Sequence, residues 1–209
     1  MKTTMVVLGV AAYFTTSTTA FGQPSPPGGW LVEVIGAPVT PANPTTTVRV
    51  SAYFPSNLWA FYTGGFDLFG TDTGAAFSHF MLPAPLGPRP PGVHGCVIML
   101  VGGAIPGGVA QVGFLQENIV GCQAHPGNPL PIFEAQWTTN VFRPRLVSLE
   151  TENTSVFSVF TSSFGNTVNL ISTQQFRHGS AVIQVIPAPG GAALLLGASL
   201  AVWRRRRVR

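Results

Sequence analysis

The chain is 209 residues long with a formal net charge of +4, and only 9% of its residues are charged. The positive excess sits at the two ends: Lys2 is the single lysine, and five arginines lie beyond Trp203. Between those ends five arginines face seven carboxylates, a net −2, which excludes nucleic-acid binding on grounds of charge. Charge-poor composition rich in Thr, Ser, Val, Phe, Gly and Pro favours strands and turns over exposed helices.

In chain order, Lys2 is followed by an apolar stretch, Met5 to Phe14, and by Thr18-Thr19-Ala20, small residues that suit a cut after Ala20. Residues 1–20 therefore read as a signal peptide, which makes the Sec translocon and signal peptidase expected partners. Residues 21–29, rich in Pro and Gly, read as a flexible lead-in. The stretch 30–186 is long enough for one domain with a sizeable core.

That stretch is a series of short apolar runs cut by Gly, Pro and Asn clusters. Trp30 to Ile35 reads as a first strand. Thr46 to Phe54 alternates, with Val48, Val50, Ala52 and Phe54 on one face and Arg49, Ser51 and Tyr53 on the other, the pattern of a half-buried strand. Leu58 to Phe69 is aromatic-rich, and Gly64-Gly65 predicts a bulge or tight turn within it. Ala75 to Leu82 is a further strand. Pro83 to Gly92 holds prolines at 83, 85, 88, 90 and 91 and reads as an irregular loop. Cys96 to Val101 suits a buried strand, Gly102 to Gly108 a turn, and Val109 to Leu115 and Ile119 to Cys122 two more strands. After a second Pro/Gly loop over His125 to Pro131, Ile132 to Thr138 alternates again. Arg145 to Thr151 and Ser155 to Thr161 flank Glu152-Asn153-Thr154, which reads as a hairpin turn. Val168 to Ile171 and Ala181 to Ile186 complete the set. No interior stretch keeps a helical period. Strands at this spacing predict an all-β domain, a single antiparallel β-sandwich, Ig-like or jelly-roll-like, with a barrel as the alternative.

Beyond the sandwich come Ile186-Pro187-Ala188-Pro189, an uncharged run ending at Trp203, and Arg204-Arg205-Arg206-Arg207. As a helix, Gly190 to Trp203 would be about 21 Å long at ~1.5 Å per residue. A bilayer core is ~30 Å thick, so the run is short for a permanent span. The arginine cluster marks the cytoplasmic side, and the preceding chain then faces outward.

This tail resembles the PEP-CTERM sorting signal of bacterial exosortase systems, which joins a Pro-x-Pro element, a short hydrophobic helix and an Arg cluster at the C-terminus. The matching residues are Pro187, Ala188 and Pro189, the apolar run from Ala192 to Trp203, and Arg204, Arg205, Arg206 and Arg207, with Ala188 where the commonest pattern has Glu. The resemblance is confined to residues 187–209. It implies recognition by an exosortase-type membrane transpeptidase, cleavage near the Pro element, and delivery to the cell surface or extracellular matrix.

Two cysteines in an exported chain, Cys96 and Cys122, read as one disulfide. Closing a loop of that length contributes about 3–4 kcal/mol in the chain-entropy model. Asp67 and Asp72 lie on a Gly-bordered turn and form a candidate Ca²⁺ site, although EF-hand spacing is absent. Trp59, Phe61 and Tyr62 form a candidate platform for stacking on carbohydrate, against the alternative that they are core aromatics. Glu150 and Glu152 share a strand face, and His94 and His125 flank the cysteines. Paired carboxylates can do acid–base work in glycosidases, against the alternative of an exposed charged face; the histidines lack metal-motif spacing, and no Gly-x-Ser-x-Gly elbow is present. The sequence thus reads as a non-enzymatic surface or matrix protein, structural or adhesive, with extracellular polysaccharide as a candidate partner. The alternatives are a carbohydrate-binding module using residues 59–69 and a small secreted hydrolase.

Overall fold

The computed structural model describes residues 28–173 and 176–187. Every named element among them is a strand: β1 (Gly29–Ile35), β2 (Thr45–Tyr53), β3 (Ala60–Gly70), β4 (Ala76–Met81), β5 (Gly92–His94), β6 (Val97–Ile105), β7 (Gly108–Gln116), β8 (Leu130–Thr138), β9 (Arg145–Glu152), β10 (Phe157–Phe160), β11 (Thr167–Asn169) and β12 (Ser180–Val185). A smaller sheet has the order β1-β2-β8-β4. A larger one runs β11-β10-β3-β7-β6-β5, with β9 also paired to β3 and β12 to β9. All of these strand pairs are antiparallel. The fold is an all-β sandwich. The expected C-terminal helix lies outside the described residues, as do residues 1–20.

The alternation legible in the sequence becomes the inner face of each sheet. Val48, Val50 and Ala52 of β2 are fully buried, as are Leu130, Ile132, Phe133 and Trp137 of β8. Adjacent Ile132 and Phe133 are both buried because the β2–β8 register shifts at Val50/Ser51. Trp30 sits between the sheets at the centre of an aromatic cluster. Its ring centroid lies 4.7 Å from Phe157, 5.0 Å from Phe66 and 5.6 Å from Phe61. Its Nε1 donates to Thr154 Oγ1 at 2.9 Å, so the polar edge of the indole is satisfied while the ring is buried.

Several elements differ from expectation, each for a local reason. Gly64-Gly65 makes neither a turn nor a bulge, because β3 runs straight through both. A Cβ at Gly64 would stand 2.8 Å from the Trp30 ring and 2.9 Å from Phe61, so this glycine makes room for aromatic packing. Irregularities fall on either side of the pair, at Tyr62 opposite Ser158/Val159 and at Phe66/Leu68 opposite the left-handed Gln111. β6 continues to Ile105, and the turn to β7 is only Pro106-Gly107; Gly107, at φ 72°, takes the position that needs a positive φ. Ile119 to Cys122 is a tight turn rather than a strand, closed by a backbone bond of 2.9 Å in each direction between those two residues. A three-residue strand, β5, emerges at the end of the proline-rich loop.

Residues 152–154 do not form a hairpin. β9 pairs with Asp67–Gly70 and β10 with Ala60–Gly64, both antiparallel along one edge of β3. The chain therefore continues in one direction across a break at 153–156, where Asn153 adopts φ 51°. The break is held by Thr154 under Trp30, by Asn153 Nδ2 donating to Asp67 Oδ2 at 2.7 Å, and by Gly65 N donating to Val156 O at 3.3 Å.

Two isolated parallel bridges join the ends of the described chain, Gly29 to Arg177 ahead of β12 and Val39, beyond β1, to Val185. Trp30 N donates to Arg177 O at 3.1 Å and Arg177 N to Gly28 O at 3.0 Å. Further along, Val39 N donates to Gln184 O at 3.0 Å and Ile186 N to Val39 O at 2.8 Å.

Candidate functional site

The outward face of the larger sheet carries exposed apolar side chains. In β6 and β7 the side chains of Met99, Val112 and Phe114 point into the core, so those of Ile98, Leu100 and Leu115 point out. Register places Ile98 beside Leu115, Leu100 beside Gly113, and Gly113 beside Gly65. Two glycines side by side leave a shallow floor, and Leu100, 58% exposed, stands at its edge. Pro91, Gly92, Leu100, Gly102, Gln111 and Gly113 border a groove of about 490 Å³ there. On the other flank, register brings Asp67 beside Glu152 and Phe69 beside Glu150. The single basic residue of β3, β6, β7 and β9 is Arg145, and it is bonded to Asp72. The face thus combines an apolar floor with an acidic border.

The two aspartates singled out in the sequence do not converge. Asp67 accepts from Gln111 N through Oδ1 and from Asn153 Nδ2 through Oδ2, each at 2.7 Å. Asp72 accepts from Gly74 N at 3.1 Å through Oδ1, while its Oδ2 is bonded to Arg145. Each carboxylate serves a structural role, clamping the β9–β10 break in one case and the 72–74 turn in the other. No group of three His, Cys, Asp or Glu residues among the described residues is placed to hold a metal. The two candidate Ca²⁺ carboxylates, Asp67 and Asp72, are thus each engaged with separate partners.

The aromatic trio divides. Phe61 is fully buried against Trp30, Phe114 and Phe157, so it is a core residue and not a stacking surface. Trp59 and Tyr62 are half-buried and pack on Phe160, at centroid distances of 6.1 and 4.7 Å. With Ala60 and Ala124 they form a second, smaller cluster apart from the main core.

Cys96 and Cys122 form a disulfide, with Cα atoms 5.3 Å apart. It fastens the Ile119–Cys122 turn to the start of β6. Beneath that turn the buried Gln116 donates through Nε2 to Phe61 O and accepts at Oε1 from His125 N at 3.0 Å. Sequence reasoning passed over Gln116; a lone glutamine at the end of an apolar strand carries no signal that it bridges β3 to the loop at His125. The histidines are individually occupied: His94 Nε2 contacts Pro90 O at 2.6 Å, and His125 Nδ1 accepts from Gly127 N at 3.0 Å. Glu150 and Glu152 are exposed on β9. Of the tail residues, Pro187 ends the described chain, and Ala188, Pro189 and Arg204 to Arg207 lie outside the described residues.

Among solved structures the chain is similar in fold to a cohesin module from a Clostridium perfringens ATCC13124 family 33 glycoside hydrolase. The match has a TM-score of 0.52 and 9% sequence identity, over 77% of this chain and 97% of that one. It is also similar to a type I cohesin from Clostridium thermocellum, solved in a cohesin–dockerin complex, with a TM-score of 0.48 and 14% identity over 75% and 99% of the two chains. A third is the seventh type I cohesin of ScaB from Pseudobacteroides cellulosolvens, with a TM-score of 0.47 and 12% identity over 77% and 96%. No protein-family model matches the chain, and no curated protein sequence matches it significantly. At 9% identity the likeness to the first of these shows the fold alone.

Proposed function

We propose that this chain is an exported, non-catalytic surface or matrix module that adheres to a protein partner through the outward face of its larger sheet. Its C-terminal segment would act as a PEP-CTERM-type sorting handle. The observation that carries the adhesive reading is the composition of that face: a glycine-floored apolar strip of Ile98, Leu100, Gly113 and Leu115 beside the carboxylates Asp67, Glu150 and Glu152. An apolar strip rimmed by polar groups is the common form of a protein-recognition surface. The acidic border favours a partner that carries basic residues beside its own apolar ridge.

The sandwich architecture, shared with cohesin modules, supports the reading because it presents a broad, rigid sheet face. The disulfide fits an oxidising, extracellular setting. Lys2, the stretch Met5 to Phe14 and the terminal arginines support export and sorting, and the exosortase-type transpeptidase belongs to this proposal.

The test is Leu100→Arg in the full exported chain. Retention in the cell-surface fraction should fall about tenfold or more, the loss expected when a central apolar contact is replaced by a buried charge. Secretion should be unchanged, because the position is exposed and outside the core. Undiminished retention would remove the sheet face from the proposal.

A further inference from the structure

At the disulfide end of the sandwich, a cleft of about 400 Å³ opens between the end of β7 and the loop that enters β11. Tyr62, Leu115, Glu117, Asn118, Phe160 and Thr167 are among its lining residues. This volume lies within the roughly 300–1,000 Å³ of small-molecule sites. We propose that the cleft binds a single neutral hexopyranose residue of an extracellular glycan.

The floor is aromatic and held in place. Tyr62 lies against the buried Phe160 at 4.7 Å between centroids, and Trp59 braces Phe160 from another side at 6.1 Å. A half-exposed ring backed in this way offers a flat apolar surface to the C–H face of a sugar at little entropic cost. The walls are polar and also held. Asn118 Nδ2 donates to Ser163 O at 3.0 Å, tying the two loops together and leaving Oδ1 without a partner among the described residues. Glu117 N donates to Cys96 O at 2.8 Å, so the backbone of Glu117 is fixed to the strand that the disulfide anchors. Glu117 forms no ion pair among the described residues. Its carboxylate, Asn118 Oδ1 and the Thr167 hydroxyl together supply acceptors and a donor suited to vicinal hydroxyl groups.

The chemistry of the lining narrows the ligand. Glu117 is its single charged side chain, so a uronate or a phosphate would be repelled while a neutral ring is accepted. Glycoside hydrolysis by paired carboxylates needs two of them flanking the bond, and this cleft has one. The assignment is therefore binding without cleavage. The cleft meets the β6–β7 face at Leu115 but shares neither Leu100 nor the glycine floor with it.

Saturation-transfer NMR on the full exported chain, titrated with methyl β-glucopyranoside, methyl α-mannopyranoside, methyl β-galactopyranoside and glucuronate, tests this. At least one neutral glycoside should bind saturably below about 10 mM, and glucuronate should bind several-fold more weakly. Tyr62→Ala should weaken binding about tenfold, while Tyr62→Phe keeps most of it. Should Tyr62→Ala fail to fold, Glu117→Gln and the exposed Thr167→Arg report on the same cleft, and each should weaken binding. Leu100→Arg should bind the glycoside as the parent does. Absence of saturable binding by all three neutral glycosides overturns the site. So does binding that Tyr62→Ala, Glu117→Gln and Thr167→Arg leave unchanged, and preference for glucuronate overturns the role given to Glu117.

Discussion

Arg145 shows how one side chain can secure a corner of the sandwich. Its Nη2 donates to Asp72 Oδ2 and, at 3.0 Å, to Thr139 Oγ1, while Nη1 donates to Val141 O. One guanidinium thus ties the β3–β4 turn to the β8–β9 loop. The site is largely shielded from solvent, with side-chain exposures of 22% for Arg145 and 15% for Asp72, so Asp72 would be stranded by its loss. Arg145→Ala should lower the unfolding free energy by about 2–3 kcal/mol, measured by urea denaturation. Arg145→Lys should recover only part of that, because a point charge cannot reproduce the fork. Tyr53 predicts a pH dependence. Burial pushes its hydroxyl above the usual tyrosine range, and the Arg177 guanidinium partly offsets the rise. The folded state then holds this proton more tightly than the unfolded chain. Its stabilising effect is intact below about pH 10 and is lost as the pH climbs toward the folded-state value. Thermal melts between about pH 9 and 11 should show a downward slope that Tyr53→Phe reduces.

At the scale of elements, the glycines of β3 mark where local reading stops. Paired glycines in a strand most often signal a bend, and Gly64-Gly65 was legible only as that. Their actual role depends on Trp30, which is 34 positions away in sequence and lands on Gly64 only after the sheets pack. Gly64→Ala should therefore destabilise by about 1–3 kcal/mol through overpacking, read from the denaturation midpoint. An unchanged midpoint would show that the Trp30 ring can shift. The inner faces of β2 and β8 were legible because a period of two needs no partner to be seen. The continuation of β9 into β10 was not, since a polar break between two apolar runs has the same local signature whether the chain reverses or goes straight. Only the shared edge of β3 decides between them. The candidate site followed the same division. Tyr62 was legible as an aromatic in an unusual run, and Cys96–Cys122 as an even pair in an exported chain. Glu117 and Asn118 follow β7 and Thr167 opens β11; they form no motif, and the strand order β11-β10-β3-β7 with the Asn118–Ser163 bond brings them to one cleft.

For the whole molecule, charge and topology support the same division of labour. The portion between the basic ends carries a net −2, and the positive excess sits in the two end segments that read as sorting signals in the sequence. Intact-mass analysis of surface-recovered protein should show an N-terminus at or near Phe21 and loss of the chain beyond about Pro189. Recovery of Arg209 on that material would argue against the sorting handle and for a retained anchor.

The isolated parallel bridges at Gly29–Arg177 and Val39–Val185 have a mechanical consequence. Gly28 lies beside Arg177 at one end of the sandwich, while Ile186 leaves beside Val39 at the other. β12 is also paired along six residues with β9. Tension applied through Pro187, as on a chain tethered at its C-terminus and gripped on its sheet face, would pull β12 lengthwise past its neighbours. That geometry loads the β9–β12 ladder and the Val39 bonds together, in shear, instead of unzipping them one by one. Rupture under load then requires many bonds to fail at once, which raises the barrier governing forced unfolding. A strand order that brings the ends of the sandwich to opposite poles is well suited to bearing load while tethered.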